Sequence, residues 1–113
     1  MTPEGKIKQW VTKYLKDSLP EVVLYRPLGG PFGKAGEPDL HVTLGGCKGV
    51  IEAKVDGEDP TPLQQKRLRD YAKAGALCMV LRGKDIDRLN LFIRLMRERA
   101  ECLKELIKLQ NQG

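Results

Sequence analysis

Residues 36–55, GEPDLHVTLGGCKGVIEAKV, constrain the fold more than any other stretch of the chain. Two alternating apolar segments flank a Gly-Gly pair, the pattern of two antiparallel strands joined by a tight turn. Side chains along a strand alternate faces with a period of two. If Gly45-Gly46 is a two-residue turn, Leu44 pairs with Cys47 and Asp39 falls opposite Glu52. A four-residue loop over 45–48 would put Asp39 opposite Lys54 instead. Both registers divide the residues in the same way. Leu40, Val42, Leu44, Ile51, Ala53 and Val55 share one face; Asp39, His41, Thr43, Glu52 and Lys54 share the other. A three-residue loop would break the division, because a one-residue slip turns every side chain over. The first face is a core. The second gathers two carboxylates and an ammonium within a few residues.

The flanking sequence supplies the other elements. TPEGKIKQWVTKYLKDSLP reads as a helix, with Thr2 as N-cap, Pro3 in the first turn and an apolar stripe of Ile7, Trp10, Val11, Tyr14 and Leu15 that ends before Pro20. EVVLYRP is a short strand, and LGGPFGKAGEP is a glycine-rich loop. TPLQQKRLRDYAKAG is a second helix that stops at Gly75. ALCMVLRG is an uninterrupted apolar strand, the signature of burial on both faces. DIDRLNLFIRLMRERAECLKELIKL is a long final helix. The order α-β-β-β-α-β-α predicts an α/β domain whose small mixed sheet is covered by helices.

A chain of 113 residues allows one domain, 1–113, with one modest core. No apolar run reaches the roughly 18 residues of a membrane span, and MTPEGKIKQW lacks the apolar stretch of a signal peptide. Three widely spaced cysteines, Cys47, Cys78 and Cys102, argue against a disulfide framework or a zinc site and fit a reducing cytosol. The net charge of +5 permits a polyanionic partner without requiring one.

On the charged face, the plainer reading is a solvated hairpin with Glu52 and Lys54 as ion partners. Two flanking helices argue for more. Glu4 lies one turn before Ile7 and points where the stripe points; as a first-turn acid it also suits the helix dipole. Gln64 lies on the stripe of Leu68, Tyr71 and Gly75; Thr61-x-x-Gln64 also fits a capping box, worth about 1 kcal/mol. With Asp39, Glu52 and Lys54 these residues outline a polar pocket at one end of the sheet. Carboxylates and a lysine, without cysteine or histidine ligands, suit a hard cation such as Mg²⁺ or Mn²⁺. Such an ion lowers the pKa of a bound water, and a nearby ammonium offsets charge that develops on phosphorus. These are the components of phosphodiester hydrolysis.

Pro38-Asp39-Leu40 followed by Ile51-Glu52-Ala53-Lys54 resembles the PD-(D/E)XK nuclease signature, and the element order α-β-β-β-α-β resembles that superfamily's core. More narrowly, Glu4, GEPDL, IEAKV, TPLQQ and AGALCMVLR are similar to the VRR-NUC branch, especially its stand-alone phage-type members. The likeness covers about residues 3–83, with the final helix, about 85–110, outside it. The resemblance implies Asp39, Glu52 and the Ala53 backbone carbonyl as metal ligands, Lys54 as the catalytic lysine, and Glu4 as a further ligand, direct or through water. It implies that Gln64 positions water or phosphate near an Mg²⁺ or Mn²⁺ ion. It also implies a homodimeric, structure-selective DNA endonuclease that cuts four-way (Holliday) junctions, working in the cytoplasm, of a bacterial host if phage-encoded, with no membrane and no nucleotide cofactor.

Several residues have a weaker case. GGPFGKAG departs from a phosphate loop at Leu28 and Ala35; a flexible loop with Lys34 on a DNA phosphate fits better. His41, the single histidine, shares the face of Asp39 and is expected to touch DNA, to help move a proton, or to make a local hydrogen bond. Lys66, Arg67, Arg69 and Lys73, with Arg82 and Lys84, are candidate phosphate contacts or a solvated face. In the final helix, Leu89, Ile93, Met96, Ala100, Leu103 and Ile107 form a seam, and Phe92, Leu95, Cys102, Leu106 and Leu109 form a second stripe. One stripe covers the sheet; the surplus predicts self-association. The alternatives to a branched-DNA nuclease are a nicking or restriction-like nuclease on linear DNA, a non-catalytic DNA-binding module, and an assembly protein built on the final helix.

Overall fold

The structure, a computed structural model, describes residues 1–28 and 33–112. Gly29 to Phe32, and with them the phosphate-loop reading of that stretch, lie outside the described residues, as does Gly113. The elements follow the predicted order: α1 (Pro3–Ser18), β1 (Val23–Tyr25), β2 (Leu40–Leu44), β3 (Cys47–Lys54), α2 (Pro62–Lys73), β4 (Leu77–Arg82) and α3 (Ile86–Gln112). No helix among the described residues is long and apolar enough to cross a membrane.

The hairpin takes the tighter of the two registers. Gly45 and Gly46 both have positive φ, 55° and 83°, as a two-residue turn that follows the strand twist requires. Leu44 pairs with Cys47 and Leu40 with Ile51, so Asp39 comes opposite Glu52. β1 pairs antiparallel with β2, and β4 pairs parallel with β3, giving a four-stranded mixed sheet in the order β1-β2-β3-β4.

α1 and α3 cover the apolar face. Thr2 Oγ1 caps α1 by accepting from the Gly5 N–H at 3.0 Å, and Ile7, Val11 and Leu15 are buried against Leu40, Val42 and Ile51. Leu89, Phe92, Ile93 and Met96 of α3 complete that core. Gly49 is what lets α3 approach: a Cβ there would lie 2.5 Å from the Phe92 ring. The Tyr14 hydroxyl donates to Asn90 Oδ1 at 2.6 Å and ties the two helices together.

α2 crosses the charged face as the β3–β4 connection. The Cys78 thiol lies 3.4 Å from the Leu68 carbonyl, and the Tyr71 ring stands edge-on to His41. This arrangement corrects the expectation for the apolar ALCMVLR strand. β4 is an edge strand and only Met79 and Leu81 are fully buried. The strand buried on both faces is β3, the one that carries the charges.

α3 needs a second correction. Phe92 belongs to the same buried surface as Leu89, Ile93 and Met96, because a helix facing a sheet buries a stripe wider than a single heptad seam. The surplus apolar residues lie along the axis instead. Beyond Ala100 the helix runs past the sheet, leaving Cys102, Leu106, Ile107 and Leu109 exposed.

Candidate active site

The charged face is buried where it matters. Glu52 is 1% exposed, Lys54 8% and His41 6%. Burying ionised groups costs several kcal/mol each unless they are paired, so their partners decide what the site is.

Asp39 sits just before β2 with both carboxylate oxygens engaged. Oδ2 accepts from the Ala53 N–H at 2.8 Å, which fixes the carboxylate beside β3. Oδ1 is 3.0 Å from the Lys8 ammonium, which in turn lies 3.5 Å from Glu4 Oε1. Lys8 therefore bridges Glu4 and Asp39. Sequence reasoning missed it, although a lysine four residues after Glu4 lies on the same helical face.

Glu52 is less well served. Its Oε1 is 3.8 Å from Lys54 Nζ, and its Oε2 is buried without a hydrogen-bond partner. Burial, and next the negative charge of Asp39 beside it, push the Glu52 pKa up to about 8; the Lys54 ammonium opposes the shift without cancelling it. An under-satisfied buried carboxylate next to a second one is a site that a cation would stabilise.

The donor types fit a hard divalent ion: carboxylate oxygens from Asp39 and Glu52, with Glu52 Oε2 left without a partner, and the backbone carbonyl of Ala53 next in the chain to Glu52. Among the described residues no three His, Cys, Asp or Glu side chains group tightly enough to hold a metal. The link from Glu4 to Asp39 runs through Lys8.

Gln64 completes the capping box expected of it. Its Oε1 accepts from the Thr61 N–H at 2.9 Å while its own N–H donates to Thr61 Oγ1 at 3.2 Å, a complete capping box. The same side chain lines a cleft of about 310 Å³ with Lys8, Lys34, Glu37 and Asp39. Because the cap holds Oε1, the amide nitrogen is the end available to the cleft.

The expected DNA contacts divide. Lys34 is exposed on the rim of the cleft. The Arg67 Nε–H donates to the Ala35 carbonyl at 3.2 Å. Arg82 is bound to the Glu58 carbonyl at 2.9 Å and to Asp59 Oδ1 at 2.5 Å, so both arginines brace loops. Among the described residues Lys66 is engaged only in a surface pair with Asp70 at 3.4 Å, the kind of contact that exchanges readily for a phosphate. His41 faces α2 rather than solvent. It lies buried between Tyr25 and Tyr71 with Nε2 2.9 Å from Glu37 Oε1, yet neither ring nitrogen has a hydrogen-bond partner in good geometry. Burial, then the Lys48 charge, lowers its pKa, so the ring is neutral. The Tyr71 hydroxyl also donates to Glu37 Oε1, and burial with that bond pushes the Tyr71 pKa up to about 12. This group under α2 pins the segment that leads into Pro38 and Asp39.

No family model matches the sequence, and no curated protein does. Solved structures do. One, a VRR_NUC domain, superposes with a TM-score of 0.66 at 23% identity, covering 83% of this chain and 97% of that one. A second, a VRR_NUC domain protein, gives a TM-score of 0.61 at 23% identity over 85% and 88%. The chain has the VRR-NUC domain fold. In that fold the hairpin's polar end, the start of α2 and the first turns of α1 converge on one cleft. α3 runs beyond the sheet that carries them.

Proposed function

We propose that this VRR-NUC chain is a Mg²⁺- or Mn²⁺-dependent DNA endonuclease that hydrolyses phosphodiester bonds, selective for branched DNA such as four-way junctions. The observation that carries the reading is the pairing of Asp39 with Glu52 at the buried end of the hairpin, with Lys54 beside Glu52. Asp39, Glu52 and the Ala53 carbonyl would hold the ion. When bound, it supplies a lowered water pKa and a Lewis acid for the scissile phosphate. Lys54 orients the attacking water and offsets charge on the phosphorane. The Gln64 amide donates to phosphate or water at the mouth of the cleft. Lys34 and Lys66 hold the DNA backbone in the order of phosphates, without reading bases.

The exposed end of α3, with Leu106, Ile107 and Leu109, supports a homodimer. A twofold dimer offers two sites to a twofold substrate. Only a branched molecule brings two strands to both sites at once, and the second contact is then effectively intramolecular. The substrate is DNA, and the site of action the cytoplasm.

The test is cleavage of labelled linear, flapped and four-way DNA of one sequence, with Mg²⁺, Mn²⁺ or a chelator. Metal-dependent cutting of the four-way substrate, faster than of linear duplex at every salt concentration, is expected. Equal cutting of linear duplex would make the protein a general or sequence-reading nuclease. Binding without cutting in either metal would make it a DNA-binding module.

A further inference from the structure

We infer that Pro38 is a positioning residue of the metal site: having no N–H, it keeps the Ala53 carbonyl out of the β-ladder and open to the ion. The inference rests on the metal-dependent reading above and extends it to a residue that supplies no ligand atom.

The hairpin register puts Pro38 opposite Ala53, since Leu40 is opposite Ile51. In an antiparallel pair, opposed residues alternate between exchanging two hydrogen bonds and exchanging none. Three observations assign the Pro38–Ala53 position to the bonded set. The two-residue turn closes on Leu44 and Cys47, and such turns are closed by a bonded pair. Counting outward by twos gives 42 with 49, 40 with 51, and 38 with 53. Second, the Ala53 N–H points toward the β2 side, where it donates to Asp39 Oδ2 at 2.8 Å. Third, the next residue faces the other way, as alternation demands: the Lys54 carbonyl accepts from the Gly83 N–H at the end of β4, at 2.8 Å.

The N–H and C=O of one residue in an extended strand point to the same side, so the Ala53 carbonyl also faces the line of β2. The donor the ladder would provide there is the N–H of residue 38, and proline has none. Both polar groups of Ala53 are thereby redirected. Its N–H orients the Asp39 carboxylate, and its carbonyl, on a residue only 2% exposed, lacks its ladder partner. A buried carbonyl without a donor costs free energy that a cation restores. Any residue other than proline at 38 offers an N–H to that oxygen and competes with the ion.

Pro38 is itself fully buried, so its ring also contributes packing. The test therefore separates the N–H from the ring. Mn²⁺ is titrated calorimetrically into the full-length wild type, Pro38→Ala, Asp39→Asn, and a chain with L-lactate at position 38. The last is an alanine analogue whose ester oxygen replaces the N–H, made by ligation at Gly46–Cys47. Pro38→Ala is expected to bind Mn²⁺ about tenfold or more weakly, to keep its melting temperature in chelator, and to regain most of the lost affinity in the ester chain. Equal Mn²⁺ affinity of the alanine and ester chains would overturn the inference, as would wild-type affinity in Pro38→Ala while Asp39→Asn abolishes binding. The latter result leaves the metal site standing. If wild type binds no Mn²⁺, the metal-dependent reading falls and the role of Pro38 falls with it.

Discussion

Glu52→Gln should make the metal-free protein more stable, increasingly so as the pH rises. The wild-type carboxyl titrates near its ordinary 4.5 in the unfolded chain and at about 8 in the folded one. Between those values the native state holds a proton that the unfolded state has released. Stability therefore falls as pH increases, by about 1.4 kcal/mol per pH unit at the steepest. Below the window the group is neutral in both states and contributes nothing; above it the loss is complete. From pH 5 to pH 8 the change attributable to Glu52 is roughly 3 kcal/mol. The amide side chain of the variant has the shape of the protonated acid and no charge to bury, so it shows none of this slope. Urea unfolding of both chains in chelator at pH 5, 6, 7 and 8 isolates the effect, because every other titrating group is common to the two. The gap should be smallest at pH 5 and widen steadily. A gap constant across the four pH values would refute the argument and mean that Glu52 is ionised and adequately paired by Lys54 in the native protein.

Three further outcomes follow from the same geometry. Lys54→Ala should lower cleavage at least a hundredfold while DNA affinity in chelator stays within a few-fold; a variant that still cuts would remove Lys54 from the chemistry, and one that unfolds would make it a structural ion partner. Lys8→Met should tighten Mn²⁺ binding several-fold in calorimetry, because the ammonium 3.0 Å from Asp39 Oδ1 competes for the carboxylate and repels the ion; weaker binding would mean that Lys8 organises the ligands instead. Leu106→Glu with Ile107→Glu should turn a dimer into a folded monomer by light scattering, since both side chains lie beyond the core; a wild-type monomer at micromolar concentration would end the case for self-association. Deleting α3 altogether is not an equivalent test, because Leu89, Phe92, Ile93 and Met96 belong to the core.

Much of this was legible in the sequence, and what was not has identifiable causes. The hairpin was readable because Gly45-Gly46 admits few turns, and either even-length loop puts Asp39, Glu52 and Lys54 on one face. α1 and α2 announced themselves through Thr2-Pro3 and Thr61-x-x-Gln64, whose threonine hydroxyls do cap. The edge position of β4 was hidden because an apolar run does not report strand order, which is set by the parallel crossover through α2. The burial of His41 was not readable, because alternation gives a face but not what covers it; Tyr71 arrives from 30 residues away. Arg67 and Arg82 looked like any basic surface, and only tertiary structure brings the Ala35 and Glu58 carbonyls to them. Lys8 was readable in principle from its spacing to Glu4, but its contact with Asp39 is long-range.

The charges that residues 36–55 place inside a buried strand are accounted for by what a central strand provides. β3 is held by β2 on one side and β4 on the other, with helices over both faces, so its backbone is the least free in the molecule. Groups that must hold an ion need that immobility, since a loose ligand set forfeits much of the binding and rate it could give. The cost is an ionisable residue at 1% exposure that prefers to stay protonated. A solvated hairpin would have avoided that cost, and nothing in packing alone requires Glu52 at that position. The buried orphan oxygen of Glu52, the fixed carboxylate of Asp39 and the Ala53 carbonyl opposite a proline each make poor sense as separate structural choices. On the metal-dependent reading proposed above, each departure from ladder and core rules would supply an oxygen to one ion.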